Sequence, residues 1–244
     1  MTALLRDADL TAAFDHAARG YDTLVAANPG YHRQLRRSAR RVGLAHRGAG
    51  MRVLDLGCGT GASTAALLRA APHAHVTAVD ASAGMLRRAQ AKRWPGNVTF
   101  VQSAAETLTR AGVRGPFDAV FAAYLFRNLT DPDPVLARVR DLLVPGGVLA
   151  VHEYALSGRP AHRAVWTAVC KGIVQPVGTM TGDRALYQHL WRSVIAFDTA
   201  PAFADRLTRA GFVQPMILPV AGWQTGIVHT VLARRPAAGG QASR

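Results

Sequence analysis

After Gly50 the chain alternates short apolar runs with helical periodicities, and that alternation limits the fold more than any other feature. Arg52–Leu56, Val76–Val79, Val98–Val101, Ala119–Ala122 and Val148–Val151 are near-continuous apolar runs of strand length. Strands read this way when both faces of their sheet are buried. Between them, Ala62–Ala71 carries one helix, and Ser82 caps a second that contains Met85, Leu86 and Ala89. Asp131-Pro132-Asp133-Pro134 opens a third with Val135, Leu136, Val139 and Leu142 on its buried side, and Pro145-Gly146-Gly147 is expected to stop it. The pattern predicts an α/β fold with a parallel, doubly wound sheet.

Two regions stand outside this alternation. Ahead of it, Phe14, Ala17, Ala18 and Tyr21 recur at helical steps until Asn28-Pro29-Gly30 breaks the pattern. From Tyr31 to Leu44 a second helix puts Arg33, Arg36, Arg37, Arg40 and Arg41 on one face and Tyr31, Leu35, Ala39 and Val42 on the other. That basic face fits a solvated surface, and it also fits a peripheral contact with anionic lipid, where each basic residue contributes about 1 kcal/mol.

The second region, Leu156 to Thr199, is too long for an idle loop and is expected to be an inserted helical cap beside the sheet's carboxyl edge. Trp166, Val169 and Ile173 have helical spacing there and read as core. A helix from Ala202 to Ala210 and two last strands complete the fold. The expected organisation is a helical, substrate- and membrane-facing segment over 1–48, a main domain over 49–235 with its cap at 156–199, and a frayed tail at 236–244.

Composition narrows the function classes. Of 244 residues 49% are hydrophobic, enough for a real core and too many for wholesale disorder. Cys58 and Cys170 cannot make a disulfide framework, and neither lies in a Cys/His cluster of zinc-site spacing. The first residues, with Asp7, Asp9 and Asp15, do not read as a signal peptide, so a cytosolic protein is expected. The uncharged stretch from Ala210 to Ala233 is interrupted by Pro215, Pro219, Gly222 and Gly226, and fits two strands rather than a membrane span. The net charge of +14 draws the chain toward anions. No basic patch with interleaved aromatics accompanies it, so nucleic acid is not the expected partner.

The residues that bear on chemistry cluster at strand ends. Asp55-Leu56-Gly57-Cys58-Gly59-Thr60-Gly61 lies where the first strand turns into a helix. Glycines at alternate positions allow a sharp bend and bring a ligand close to bare amides. Their spacing, G-x-G-x-G, differs from the G-x-G-x-x-G of dinucleotide sites. Asp80 ends the second strand, where it can accept both hydroxyls of an adenosine ribose or simply cap the next helix. Cys58, inside the loop, reads as a small filler.

The loop, Asp80, and the Asp118-to-Tyr124 strand followed by a Pro-Gly-Gly turn resemble a class I S-adenosylmethionine-dependent methyltransferase. That resemblance implies a Rossmann-like seven-stranded sheet in the order 3-2-1-4-5-7-6, with the seventh strand antiparallel. Phe14-Asp15-His16-Ala17-Ala18-Arg19-Gly20-Tyr21-Asp22 and Arg127-Asn128-Leu129-Thr130-Asp131-Pro132-Asp133 are similar to the narrower UbiE/MenG quinone C-methyltransferases. So is the run from Tyr187-Gln188-His189-Leu190 through Ser193-Val194-Ile195-Ala196-Phe197 to Ala210-Gly211-Phe212.

The resemblance implies S-adenosylmethionine as methyl donor, no metal, and a quinol ring carbon or another small aromatic molecule as acceptor. It implies cofactor contacts at Asp55, Gly57, Gly59, Thr60, Gly61, Asp80, Ala104, Ala105, Ala123 and Tyr21. Where the family usually has Asn or Asp, and often Ser, this chain has Ala104 and Ala123, leaving backbone groups to meet the adenine edge. Arg127 and Asn128 become the catalytic pair, the guanidinium stabilising a phenolate and the amide orienting a hydroxyl or water. Arginine hardly deprotonates, so the proton goes to a water held by that pair or to His152. A salt bridge from Arg127 to Asp131 or Asp133 is the structural alternative, and a satisfied core histidine is the one for His152.

Overall fold

The computed structural model describes residues 4–28, 30–180 and 184–237. Its centre is a sheet in the order β3-β2-β1-β4-β5-β7-β6. The strands are β1 (Arg52–Leu56), β2 (His75–Asp80), β3 (Val98–Gln102), β4 (Phe117–Ala123), β5 (Leu143–Tyr154), β6 (Val213–Pro219) and β7 (Val228–Arg234). The first five run parallel, and β7 is antiparallel to both β5 and β6. The expected sheet order and the antiparallel seventh strand are both found.

Nine helices among the described residues flank it. α1 (Asp7–Ala27) and α2 (Tyr31–Arg41) precede β1, followed by α3 (Ala62–Ala70), α4 (Ala83–Gln90) and α5 (Pro132–Leu142) between strands. α6 (Pro160–Val169), α7 (Gln175–Met180) and α8 (Arg184–Ala196) fill the long region after β5, and α9 (Ala200–Arg209) precedes β6. Tyr31, Leu35, Ala39 and Val42 pack with Val53, Ala66 and Leu67 on one face of the sheet. Leu54, Leu56, Leu136, Val139 and Phe203 pack on the other. The cap closes on Tyr154, Ile227 and Val228 through Trp166, Cys170 and Val194.

Three local expectations are corrected. Pro145-Gly146-Gly147 does not end the helix. β5 starts at Leu143, which pairs with Phe117, and the register shifts before Val148 meets Ala119. The glycines make that irregularity feasible: Gly146 has φ +77°, and a Cβ on Gly147 would sit 2.8 Å from Val144 O. Ile173 is 63% exposed rather than core, because Cys170–Val174 winds as a π-helix and rotates it off the face that Trp166 buries. Arg41 leaves the basic stripe, donating to Leu218 O, Pro219 O and Thr230 Oγ1 at 2.8–2.9 Å. It ties α2 to the β6–β7 pair, while Arg33, Arg37 and Arg40 stay exposed and Arg36 is half-buried. The end of the expected frayed tail, 238–244, lies outside the described residues.

Candidate functional site

β1 ends on a turn whose glycines, Gly57, Gly59 and Gly61, all have positive φ. Beneath it Asp55 is fully buried, and its Oδ2 accepts the hydroxyls of Ser63 (2.8 Å) and Thr64 (2.6 Å) at the start of α3. Those bonds fix how the helix leaves the strand. Asp55 therefore shapes the turn from below and does not line the cleft above it. Gly61 faces away as well, since a Cβ there would meet the Trp94 ring at 2.7 Å.

The cleft, about 330 Å³, opens at the carboxyl ends of β1, β2 and β4. Gly57, Gly59 and Thr60 line it from the turn, and Asp80, Ala104, Ala105, Ala123 and Tyr21 line it around the sides. Asp80 accepts the Gly59 amide at 2.7 Å on one oxygen and the Ser82 amide at 2.9 Å on the other. It thus serves both the loop and the start of α4, and the lone pairs left over remain at the cleft wall. A Cβ on Gly59 would meet nothing within 4 Å, so the floor of the loop is open. A carboxylate at one strand end and an open glycine floor at the next fit a nucleoside.

Helix α1 roofs the cleft through acids in its middle. Asp15 Oδ1 accepts from the Ser82 hydroxyl and from the Gly84 amide (2.7 Å). Gly84 is needed for that approach, since a Cβ there would come within 2.9 Å of Asp15 Oδ1. Asp22 accepts the Thr60 hydroxyl and pairs with Lys92 Nζ at 2.8 Å. The Ser82 hydroxyl holds the Asp15 carboxyl below its usual range. Burial raises Asp22, but Lys92 and Thr60 outweigh it and leave that carboxyl lowered. At the other end of the roof, Arg6 donates to Leu129 O (3.0 Å) and Thr130 donates to Asp7 Oδ1 (2.9 Å).

Arg127 and Asn128 stand on the turn after β4, and both line the cleft. The Arg127 side chain is 7% exposed and its partner is Glu153 on β5, with Nε 3.7 Å from Oε1. Asp131 and Asp133 are not its partners: Asp131 caps α5, and Asp133 takes Arg206 at 2.6 Å. Burial pushes the Glu153 carboxyl up, and the Arg127 charge opposes it. Arg127 NH1 and Asn128 Nδ2 both donate to Tyr124 O, at 2.8 and 3.1 Å.

Tyr124 itself has φ +58°, a strained conformation for an aromatic residue. Its amide donates to His152 O, its hydroxyl lies 3.0 Å from His152 Nε2, and its ring stacks on Tyr31. His152 is fully buried between Tyr124 and Thr230, and burial lowers its pKa to about 3. It is a satisfied interior histidine. Sequence reasoning gave no place in the site to Tyr31, Tyr124, Asp15, Asp22 or Glu153. Of these, Asp15, Asp22 and Tyr124 fall in the motif runs, whereas nothing local singles out Glu153.

A family model described as the ubiE/COQ5 methyltransferase family matches residues 2–229. The chain belongs to that family. It is 33% identical over 207 residues to the ubiquinone/menaquinone biosynthesis C-methyltransferase UbiE of Syntrophotalea carbinolica, covering 84% of this chain and 86% of that one. It is 32% identical over 200 residues to a demethylmenaquinone methyltransferase of Thermus thermophilus, covering 82% and 90%. Among solved structures, the plantazolicin methyltransferase BpumL in complex with SAH matches with a TM-score of 0.64 at 12% identity, over 92% of this chain and 95% of that one. The chain is therefore an S-adenosylmethionine-dependent methyltransferase.

In this enzyme Asp80, the open glycine turn, Ala104 and Ala105 line one cleft, and a carboxylate beside bare backbone amides fits an adenosine group. Among the described residues no cluster of His, Cys, Asp and Glu is arranged for a metal. Cys58 is buried, and burial raises its thiol well above the usual range, so it is no nucleophile here.

The buried Asp55 predicts a pH dependence. Burial pushes its pKa up to about 7, against the Thr64 and Ser63 hydroxyls. An acid whose pKa is raised by folding binds its proton more tightly in the native state, so stability is full below the unfolded value and falls as pH rises toward 7. The loss is of the order of 4 kcal/mol for a shift of about three units. Denaturant melts from pH 4 to 8 should show that decline, and Asp55→Asn should flatten it. An unchanged slope in the variant would contradict the assignment.

Proposed function

We propose that the enzyme transfers a methyl group to a ring carbon of a prenylated quinol of the demethylmenaquinol type. The observation that carries this reading is Arg127: a guanidinium 7% exposed, on the wall of the cleft, at the edge where a phenolate oxygen would sit. When bound, S-adenosylmethionine supplies an electrophilic methyl group, and the protein's share is position, dryness and charge. Phenols ionise near pH ~10, so a buried cation beside the hydroxyl favours the anion that makes the ring carbon nucleophilic. Tyr21, Tyr31, Tyr124 and Phe14 offer flat apolar walls to a ring. The names of the curated relatives agree with this acceptor.

No helix among the described residues is long and apolar enough to cross a membrane. We place the enzyme in the cytoplasm, visiting the inner face of the bilayer through the exposed Arg33, Arg37 and Arg40. Labelled methyl transfer is the test, with chemically reduced demethylmenaquinone, its oxidised form and a simple catechol as acceptors. The quinone is presented in anionic and in neutral vesicles. Label is expected on a ring carbon of the reduced quinone, more strongly with anionic vesicles at low salt. Label on the catechol alone would replace the reading with an O-, N- or C-methyltransferase of a soluble aromatic metabolite. Equal rates from both vesicle types would remove the membrane contact.

A further inference from the structure

Behind the glycine turn lies a second cavity, of about 430 Å³, which the methyl transfer does not use. α2 and α3 pack on one another and supply its walls. From α3 come Ala62, Ala65, Ala66 and Arg69, which the helical period sets on one face. From α2 comes Arg36, half-buried, with His32 one turn before it at the exposed rim. Three alanines in a row leave a groove between the helices that larger side chains would fill. Trp94 closes the end nearest the turn, held by its Nε1 bond to Ala89 O at 2.7 Å and by an edge contact with Phe100.

The charge around this cavity is unbalanced. Asp22 is the one acid in its lining, and that carboxylate is already committed to Lys92 and to the Thr60 hydroxyl. Lys92 also donates to Thr60 O at 2.7 Å, which places two of its three N–H bonds and leaves one. Among the described residues neither the Arg36 nor the Arg69 guanidinium has an acid or a hydrogen-bond partner. Cations that line one concave wall repel each other, and an anion between them turns repulsion into attraction.

Two uncompensated guanidiniums match the charge of about −2 that a phosphate monoester carries near neutral pH, and their planar forks suit its oxygens. A carboxylate brings half that charge, and a bare phosphate leaves the alanine floor and the Trp94 ring uncovered. We propose that this cavity binds a phosphate monoester of an apolar body. The phosphate sits between Arg36 and Arg69 and takes the remaining Lys92 N–H, while the body lies along Ala62, Ala65 and Ala66 against Trp94. The cofactor cleft opens on the other side of the same turn, so the two ligands do not compete for space.

Calorimetry with a short-chain phosphatidic acid, kept below its micellar concentration, tests the site. The wild type is expected to bind it. Arg36→Gln combined with Arg69→Gln should bind it about 10²-fold more weakly, the scale of losing charge-assisted hydrogen bonds, with unchanged affinity for S-adenosylhomocysteine. Arg33→Gln, Arg37→Gln and Arg40→Gln together remove more charge from α2 but lie outside the lining, and should keep the affinity. An equal loss in that triple variant means diffuse surface charge and overturns the proposal. The change in tryptophan emission on binding should vanish in Trp94→Phe, and a change that persists there places the ligand elsewhere. Inorganic phosphate should bind more than about tenfold more weakly than the ester, for want of apolar contact. Equal affinity for the two removes the apolar body and the proposal with it.

Flotation then separates the two sources of such a ligand. Phosphatidylcholine vesicles carry either phosphatidic acid or the diester phosphatidylglycerol, matched in surface charge. A preference for phosphatidic acid that the Arg36/Arg69 double variant loses supports a membrane lipid. Binding of the soluble ester without that preference supports a free phosphate ester. No binding of the ester by wild type that still binds S-adenosylhomocysteine overturns the proposal. None of these readouts involves the methyl acceptor, so the quinol reading stands or falls apart from them.

Discussion

Arg127→Met is expected to lower kcat by about 10³-fold, the scale of removing a preorganised donor from a developing oxyanion, while S-adenosylhomocysteine binds as before. The same substitution should destabilise the fold by about 3 kcal/mol, because a buried charge is stranded when its partner is removed. The stranded group is Glu153, whose side chain is 1% exposed and whose other contacts are the Tyr154 and Arg127 amides. Its pKa is already raised by burial, and without the Arg127 guanidinium only backbone amides oppose that rise. The variant's stability deficit should therefore grow with pH, small where Glu153 is protonated and full where it must ionise. Arg127→Met combined with Glu153→Gln should recover stability and leave kcat low. That split separates the guanidinium's work on the reaction from its work on the fold. If kcat of the single variant stays within a few-fold of wild type, the oxyanion role is wrong and Arg127 is a structural ion only.

The Arg127–Glu153 pair also shows why the structural alternative for Arg127 named the wrong acids. Asp131 and Asp133 are close in sequence and of the right sign, so they looked like its acids. Both are occupied by the local demands of starting α5 and anchoring α9. Glu153 lies 26 positions further on. It becomes a neighbour only because β4 and β5 pair in parallel, with Ala123 opposite His152. Registers of this kind are set by the whole sheet, and no local pattern encodes them. The same holds for Arg41, whose carbonyl partners come from the β6 end.

What was legible was periodic or local. Two-sided apolar runs gave the strands, capping residues the helix starts, and the spacing of Gly57, Gly59 and Gly61 the turn. The clefted edge followed from the sheet order. The helical reading of Trp166, Val169 and Ile173 failed where the winding changed to a π-helix, a change the composition of Cys170–Val174 does not announce. His189 was visible as a motif residue, but its contact with Asn128 across 61 positions is made only by the packing of α8 on the turn after β4.

The Asp80 side of the cleft should show its effect in binding rather than in rate. Asp80→Ala removes the acceptor of the Gly59 and Ser82 amides as well as any ribose contact. Each hydrogen bond to a charged group is worth about 1.5–3 kcal/mol, so affinity for S-adenosylhomocysteine should fall about 10³-fold by calorimetry. Asp80→Asn can still accept from one amide, and should fall less. The comparison tests how the loop is built. Asp80 is raised above its usual pKa by burial against the pull of both amides, which means the carboxylate is held where water is scarce. There a lost charge is not replaced by solvent, and the glycine turn loses the group that sets Gly59. Binding by the alanine variant close to wild type would show that the adenosine does not lie against β2. The cleft would then have to be read again from the Arg127 wall outward.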